Sequence, residues 1–509
     1  MEPTIPKTMT RRPDDQLTVY QAKFQTYLLW SQPFLYRLME SLEPKVRQIV
    51  LTQRVENVDL FPMPIIKRLN SRIFYSPYHA HLGACKLQQQ YRGDLIHAHF
   101  GFTAYKLLLL KLFMRIPMIA TFGGTDLTVH AARPKTGELY RALFDVVEQL
   151  VAVSEDLRQS AIQLGCPPDK IVTIHRGVDT GTFRFVDRGS RGEKALEILM
   201  VSRLSKKKGH LEAVAALAGL PEDVADWRLS IVGSGPEEAA IKAHVREKGL
   251  EEKVTFRGNL PIEEVRRSMA DSDILLHPSL TPGDGDREGI PNAVMEGQAT
   301  GLPVISTRHG GIPELVIDGE TGLLVGEHET AALTDALRQL LTSRERRLQL
   351  GAAGRERIVG EFSLEQQAQR YLDIYRELSR RFPKDGSALE RIQTAAPIPA
   401  LLRESESEII SDGTYSLSEV LEHRFVDRSL ESERPDPWWY QGYWRAKGRL
   451  PIGLRRALKS ALQRGADSFP VKARERDDAV WKAIQGSEVP DPFQPPRRRR
   501  DLIKFESER

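Results

Sequence analysis

Short apolar runs alternate with amphipathic stretches along most of this chain, and they do so in two consecutive cycles. In the first cycle, 94–98 (DLIHA), 117–122 (PMIATF), 149–153 (QLVAV) and 170–175 (KIVTIH) read as buried strands, with helical stretches at 102–115, 136–148 and 155–164 between them. In the second, the strands are 196–202, 228–233, 254–257, 273–277, 303–306 and 322–325. Such a rhythm predicts an α/β fold in which helices cover both faces of a parallel sheet. The polar stretch Asp187 to Lys194 breaks the pattern as a linker would. Two doubly wound domains facing a cleft are therefore expected, over 1–186 and 187–382, followed by an extension over 383–509.

Upstream of the clear alternation, 17–20 reads as a short strand and 28–42 as a helix-forming stretch disturbed by Pro33. Downstream, 363–381 opens on a serine cap and spaces Leu364, Tyr371, Leu372, Ile374 and Tyr375 roughly as one helical face, the helix expected to close the core. Residues 383–509 hold no visible core. Their aromatic cluster Trp438, Trp439, Tyr440, Tyr443 and Trp444 reads as an anchor for the extension, and Arg497–Arg500 as a solvated tail.

Charge and cysteine usage narrow the function. With 73 Lys and Arg against 69 Asp and Glu, the net charge of +4 excludes a dedicated nucleic-acid polycation, so no nucleic-acid partner is expected. The two cysteines, Cys85 and Cys166, supply neither a disulfide framework nor a CxxC pair, which fits a reducing, cytoplasmic setting. No apolar core follows the basic residues of the N-terminus, so no signal peptide is expected. The apolar stretch from Leu107 to Met114 is interrupted by Lys111 and falls far short of the ~20 residues of a span. Membrane contact, at the inner face of the plasma membrane, would be peripheral.

Candidate chemistry gathers at the strand ends of the second cycle. Strand 196–202 runs into Arg203 and LSKKKG, which sets Arg203 and Lys208 on one loop; a guanidinium fork and an ammonium there suit a diphosphate. Gly233-Ser234-Gly235-Pro236 permits a tight turn after the next strand, but Glu238 stands where a third glycine would complete a dinucleotide fingerprint. After strand 273–277, Pro291 falls at an opening helix turn, which leaves the amides of Gly289, Ile290 and Asn292 to meet an anion. Glu288 and Glu296 flank that turn, the first placed to reach a sugar and the second a ribose, since carboxylates accept paired hydrogen bonds from vicinal hydroxyls.

In order, LMVSRLSKKKG, IVGSGPEE, VTFRGNL, DILLHPSL, EGIPNAVMEGQATGLPVIST, GGIPELV and DGETGLLV resemble the donor domain of retaining GT-B glycosyltransferases of family 4. LIHAHFG and VAVSEDLRQSAIQLG...KIVTIHRGVDTGTF are similar to the family's acceptor domain. The resemblance implies two Rossmann-like domains, with Arg203 and Lys208 on the nucleotide diphosphate, Glu288 on the donor sugar and Glu296 on the ribose. Glu288, Arg203 and Lys208 are then the catalytic candidates, while Gly233, Gly235, Gly289, Ile290 and Asn292 complete the donor site.

Where the family commonly reads T-x-H-G-x-D, this chain reads Thr121-Phe122-Gly123-Gly124-Thr125-Asp126. The histidine beside the reacting sugar is replaced by Gly123, leaving water, a substrate hydroxyl or His99 to serve on the acceptor side, with Asp126 as the second candidate there. The glycine-rich turn usual after the first strand is also missing from Tyr20–Phe24. The resemblance implies sugar transfer from a nucleotide-diphosphate donor to a glycan or lipid-linked acceptor, in bacterial exopolysaccharide, capsule or lipopolysaccharide synthesis. No cofactor or metal is expected; the DxD look-alikes Asp271/Asp273 and Asp284/Asp286 lack further ligands at suggestive spacing. The rivals are a sugar-nucleotide epimerase on the same architecture and an inactive scaffold acting through 383–509.

Overall fold

The structure is a computed structural model that describes residues 16–23, 26–27, 32–55, 61–69, 73, 77–190, 195–222 and 224–382. The aromatic cluster and the arginine run of 383–509 lie outside the described residues. The first domain is built on a seven-stranded parallel sheet of β1 (Thr18–Ala22), β3 (Arg47–Thr52), β5 (Ile66–Arg68), β6 (Leu95–His99), β7 (Met118–Phe122), β8 (Gln149–Ala152) and β9 (Ile171–Thr173). Beside it, β2 (Thr26–Tyr27) pairs with β4 (Arg54–Val55). The second sheet holds β10 (Leu196–Val201), β11 (Trp227–Val232), β12 (Val254–Gly258), β13 (Ile274–His277), β14 (Val304–Thr307) and β15 (Leu323–Val325).

Strand order is β5-β3-β1-β6-β7-β8-β9 in the first sheet and β12-β11-β10-β13-β14-β15 in the second, so order reverses between β1 and β6 and again between β10 and β13. Adjacent strands there send their connecting helices to opposite faces, which opens a crevice at their carboxyl ends. Both sheets are buried on two sides, which is why β6, β7 and β13 are apolar or sealed along their whole length rather than alternating.

Several elements differ from the sequence reading. Pro33 starts the helix Pro33–Leu42 instead of disturbing it, because the first helical position needs no amide donor. The stretch 102–115 is two helices, Gly101–Lys106 and Leu108–Met114, broken at Leu107. β3, β5 and the helix Pro77–Tyr91 belong to the first domain although their sequence had carried no assignment.

The helix Leu364–Arg381 also packs elsewhere than expected. Its buried face, including Leu364, Ala368, Tyr371, Leu372, Tyr375 and Leu378, lies against Val19, Leu95, Ile119 and Val151 of the first sheet. A sealed polar network fixes it there: His97 Nδ1 meets the Tyr375 hydroxyl at 2.7 Å, His97 Nε2 meets Thr121 Oγ1 at 2.8 Å, and Thr121 meets the Tyr371 hydroxyl at 3.1 Å. Conversely, Val178 and Phe183 already pack with the second core, and the Arg188 guanidinium donates to the carbonyls of Ser272, Thr300 and Met269. The chain thus crosses between domains twice, and the two crossings bond to each other through Val178 N to Phe362 O (2.9 Å) and Leu364 N to Val178 O (3.1 Å).

Candidate active site

The loop after β10 and the loop after β13 meet at the switch point of the second sheet. Gly209 makes this possible: its φ of +62° suits glycine, and a Cβ there would stand 1.8 Å from the Pro278 carbonyl oxygen. Gly233 and Gly235 act likewise, since Cβ atoms at these positions would collide with the carbonyls of Ser202 and Leu204. They press the β11 turn against the Arg203 loop and shape it from below.

Lys208 ends a short 3₁₀ turn and reaches across the crevice to Glu288, donating a hydrogen bond to its Oε1. Ser279 Oγ donates to the same oxygen at 3.3 Å. Burial alone would push the Glu288 carboxyl up, but Lys208, Lys207 and the His277 ring outweigh it and hold the group well below the usual carboxylate range. Its backbone is held too: the Glu288 amide donates to His309 Nε2 at 3.0 Å, which leaves the His309 proton on Nδ1, where it meets Glu327 at 2.8 Å. Nearby, Lys207 pairs with Asp286 at 2.8 Å, and Asp273 accepts the Glu197 amide at 2.9 Å, so one carboxylate from each DxD look-alike is engaged by protein. Among the described residues, no group of three or more His, Cys, Asp or Glu is gathered as a metal site.

The amides of Gly289, Ile290 and Asn292 find no acceptor among the described residues, and they precede or open the helix Asn292–Ala299. Glu296, on that helix, has no hydrogen-bond partner among the described residues either, and burial pushes its carboxyl up to about 7. Arg203 stands exposed on the rim, free of ion pairs with described residues. Arg203 and Lys208 thus follow β10, and Glu288 and Glu296 lie between the adjacent β13 and β14, with Lys208 and Glu288 in direct contact.

Glu296 carries a testable cost. A folded-state pKa near 7 against an ordinary 4.5 means that the native state keeps a proton the unfolded chain has already lost, so stability falls as pH rises from 4.5 to 7. The loss is bounded by about 3 kcal/mol at 1.36 kcal/mol per unit. Glu296→Gln is expected to raise the Tm at pH 8 and to flatten its decline between pH 5 and 8; melts across that range check it.

On the first domain, the acceptor-side candidates take different positions. Asp126 is sealed: its carboxylate accepts the amides of Gly101 (3.0 Å), Gly123 (3.0 Å) and Gly124 (2.9 Å), which makes it the peg that shapes the 123–126 turn and not a group facing ligand. His99 lines a pocket with Phe34, Leu35, Leu38, Phe100 and Tyr371, and its Nε2 bonds Gln21 Oε1 at 3.0 Å. Burial, aided by Lys23, pulls its pKa down to about 3, so the ring is neutral and a weak base. Gly123 leaves room that Arg176 takes up: a Cβ on Gly123 would stand 2.9 Å from Arg176 Nη2.

Three further contacts join the domains, none of which the sequence had singled out. Glu314 accepts the amides of Glu155 (2.7 Å) and Asp156 (3.0 Å) at the start of the helix Glu155–Gln163, and its Oε2 meets His175 Nε2 at 2.8 Å. Arg287 pairs with Asp156 at 3.2 Å and donates to Ser160 at 2.6 Å. Gly289 is tucked against Gly123, Val153 and Leu157. Their only sequence signal was membership of the glycine-rich and acidic motifs on both sides.

Comparison with known proteins agrees with this geometry. Residues 184–357 match the family described as Glycosyl transferases group 1, and residues 34–182 match Glycosyltransferase Family 4. WcaL of Salmonella typhimurium, named for colanic acid biosynthesis, is 36% identical over 256 residues, which are 50% of this chain and 62% of WcaL. The amylovoran biosynthesis glycosyltransferase AmsK of Erwinia amylovora is 33% identical over 279 residues, 54% of this chain and 68% of AmsK. The chain thus spans about two thirds of the length of these relatives. In three dimensions it is similar to Anabaena HepE, solved with UDP and glucose, with a TM-score of 0.60 at 18% identity over 71% of this chain and 100% of HepE. Two Rossmann-like domains in GT-B arrangement and matches across both halves place the chain in the group 1, family 4 glycosyltransferases.

Proposed function

We propose that the protein transfers a sugar from a nucleotide-diphosphate donor to a growing exopolysaccharide acceptor, glycan or lipid-linked, with retention of anomeric configuration and without a metal. The observation that carries this reading is the Lys208–Glu288 pair beside free amides at Gly289, Ile290 and Asn292 and the unpartnered Glu296. Lys208 and Arg203 take the diphosphate, the free amides take phosphate or sugar oxygens, Glu288 accepts from sugar hydroxyls and Glu296 from the ribose diol. As the bond from the anomeric carbon to phosphate lengthens, negative charge grows on the departing diphosphate, where two fixed cations lower the barrier. The acceptor hydroxyl attacks from the same face and its proton passes to the leaving phosphate oxygen.

The names of WcaL and AmsK support exopolysaccharide synthesis, and the HepE complex supports a nucleoside diphosphate in the cleft. Among the described residues no helix is long and apolar enough to cross a membrane, and a peripheral site at the cytoplasmic face suits a lipid-linked acceptor. The test is a screen of UDP-, GDP- and ADP-sugars by thermal shift, followed by incubation with the bound donor alone. Slow release of free sugar in its original anomeric form supports the transferase; conversion of the donor into a stereoisomer overturns it in favour of an epimerase.

A further inference from the structure

Among the described residues, the Arg176 guanidinium is a strongly basic group of the cleft that the donor site does not explain. It lies in the first domain's pocket beside His99, Thr121, Gly123 and Tyr371. Among the described residues its hydrogen bonds are to two carbonyls, Gly123 O at 3.2 Å and Ile290 O at 3.4 Å, and its Nε is sealed without a partner there. Phe34 stacks over the cation at 4.1 Å. No described carboxylate stands within ion-pair distance. The two that face it from farther away, Asp126 and Glu288, are already committed, the first to three glycine amides and the second to Lys208.

A guanidinium held in apolar surroundings without a counter-ion is costly, and proteins normally neutralise it with a carboxylate. Here no described carboxylate pairs with it directly, Phe34, Leu35 and Leu38 stand as apolar walls of its pocket, and its Nη1 reaches the Ile290 carbonyl of the loop after β13. Arginine's fork matches the two oxygens of a phosphate or carboxylate. We propose that Arg176 is the anion-binding group of an acceptor subsite, so that the acceptor presents an oxyanion, joined to an apolar or ring-shaped body, next to the hydroxyl that is glycosylated. The subsite rests on the transferase reading for its role, and its ligand chemistry is tested separately.

The experiment titrates full-length protein, with its donor site filled by whichever of UDP, GDP or ADP binds, with phenyl phosphate, benzoate and neutral benzyl alcohol, read by calorimetry. The expected result is binding of phenyl phosphate or benzoate and none of benzyl alcohol, the stronger of the two anions telling whether a phosphate or a carboxylate is read. Arg176→Gln should weaken that binding about 10- to 100-fold, as loss of a charge-assisted pair does, with Arg176→Lys between it and the native protein. Lys208→Gln should lose the response when nucleotide is titrated and keep the response when phenyl phosphate or benzoate is titrated without nucleotide. Failure of both anions to bind, or equal binding by Arg176→Gln and the native protein, would overturn the subsite and leave Arg176 as a strut between Gly123 and Ile290. Loss of the nucleotide response in the native protein would instead count against the transferase reading alone.

Discussion

Lys208→Gln should lower the rate of sugar transfer about 10²- to 10³-fold, the effect of removing one preorganised group from a developing oxyanion. Lys208 neutralises buried Glu288 in the resting protein, and on the proposed reading it also takes the leaving phosphate. Its loss therefore also destabilises, since a buried carboxylate is left without its cation. The pH dependence separates the two roles. Glu288 has a depressed folded-state pKa, so the stability it contributes is present above about 4.5 and is lost as pH falls below that value. The Tm gap between Lys208→Gln and the native protein should be widest at pH 7 to 8 and close toward pH 3. Adding Glu288→Gln should recover much of the Tm at neutral pH and none of the turnover. A single variant that keeps more than half its transfer rate would sink the assignment of Lys208 to the phosphate.

Gly289→Val should lower transfer about 10²-fold or more, chiefly by forcing the two domains apart. A Cβ at this position would lie 2.7 Å from Val153 Cγ2 and 2.8 Å from the Gly123 carbonyl oxygen, both on the opposite domain. Neither neighbour can yield easily, since the Gly123 turn is pegged by Asp126 and Val153 sits in the first core. The domains must then stand apart by roughly the size of the added side chain, and a displacement of about 1 Å at a reacting centre already costs on the order of 10²-fold. Nucleotide affinity should fall by much less than turnover, because Lys208, Glu288 and Glu296 all belong to the second domain and only the Gly289 amide of the donor site is disturbed. Solution scattering should show a larger radius of gyration than the native protein. A normal turnover in this variant would mean that the packed arrangement of the two domains is not the reacting one.

The parts legible from sequence were those whose signal is local. Strands such as β6, β7 and β10 are apolar runs bounded by turn residues, and the loops carrying Lys208, Glu288 and Glu296 are specified by neighbouring glycines and prolines. What escaped was set by distant partners. Nothing within 364–381 says that its apolar face meets the first sheet rather than the second, because an amphipathic helix satisfies either surface; the choice lies in Tyr371 and Tyr375 finding Thr121 and His97. Within its motif Glu314 is one more acid on a short helix, and only the distant amides of Glu155 and Asp156 supply its purpose. Arg176 lay inside a matching motif, but its role depends on Gly123 having no side chain. Pro33 misled for the opposite reason, a local rule for helix interiors applied to the residue that opens the helix.

The docking of 364–381 onto the first sheet has a consequence for how the chain is made. Val19, Leu95, Ile119 and Val151 await partners that leave the ribosome roughly two hundred residues after β9. At a synthesis rate of about 5–20 residues per second, that apolar surface stays uncovered on the nascent chain for on the order of 10–40 s. Truncation anywhere before residue 364 should therefore yield a sticky product that engages chaperones, even where the cut spares every side chain around the nucleotide.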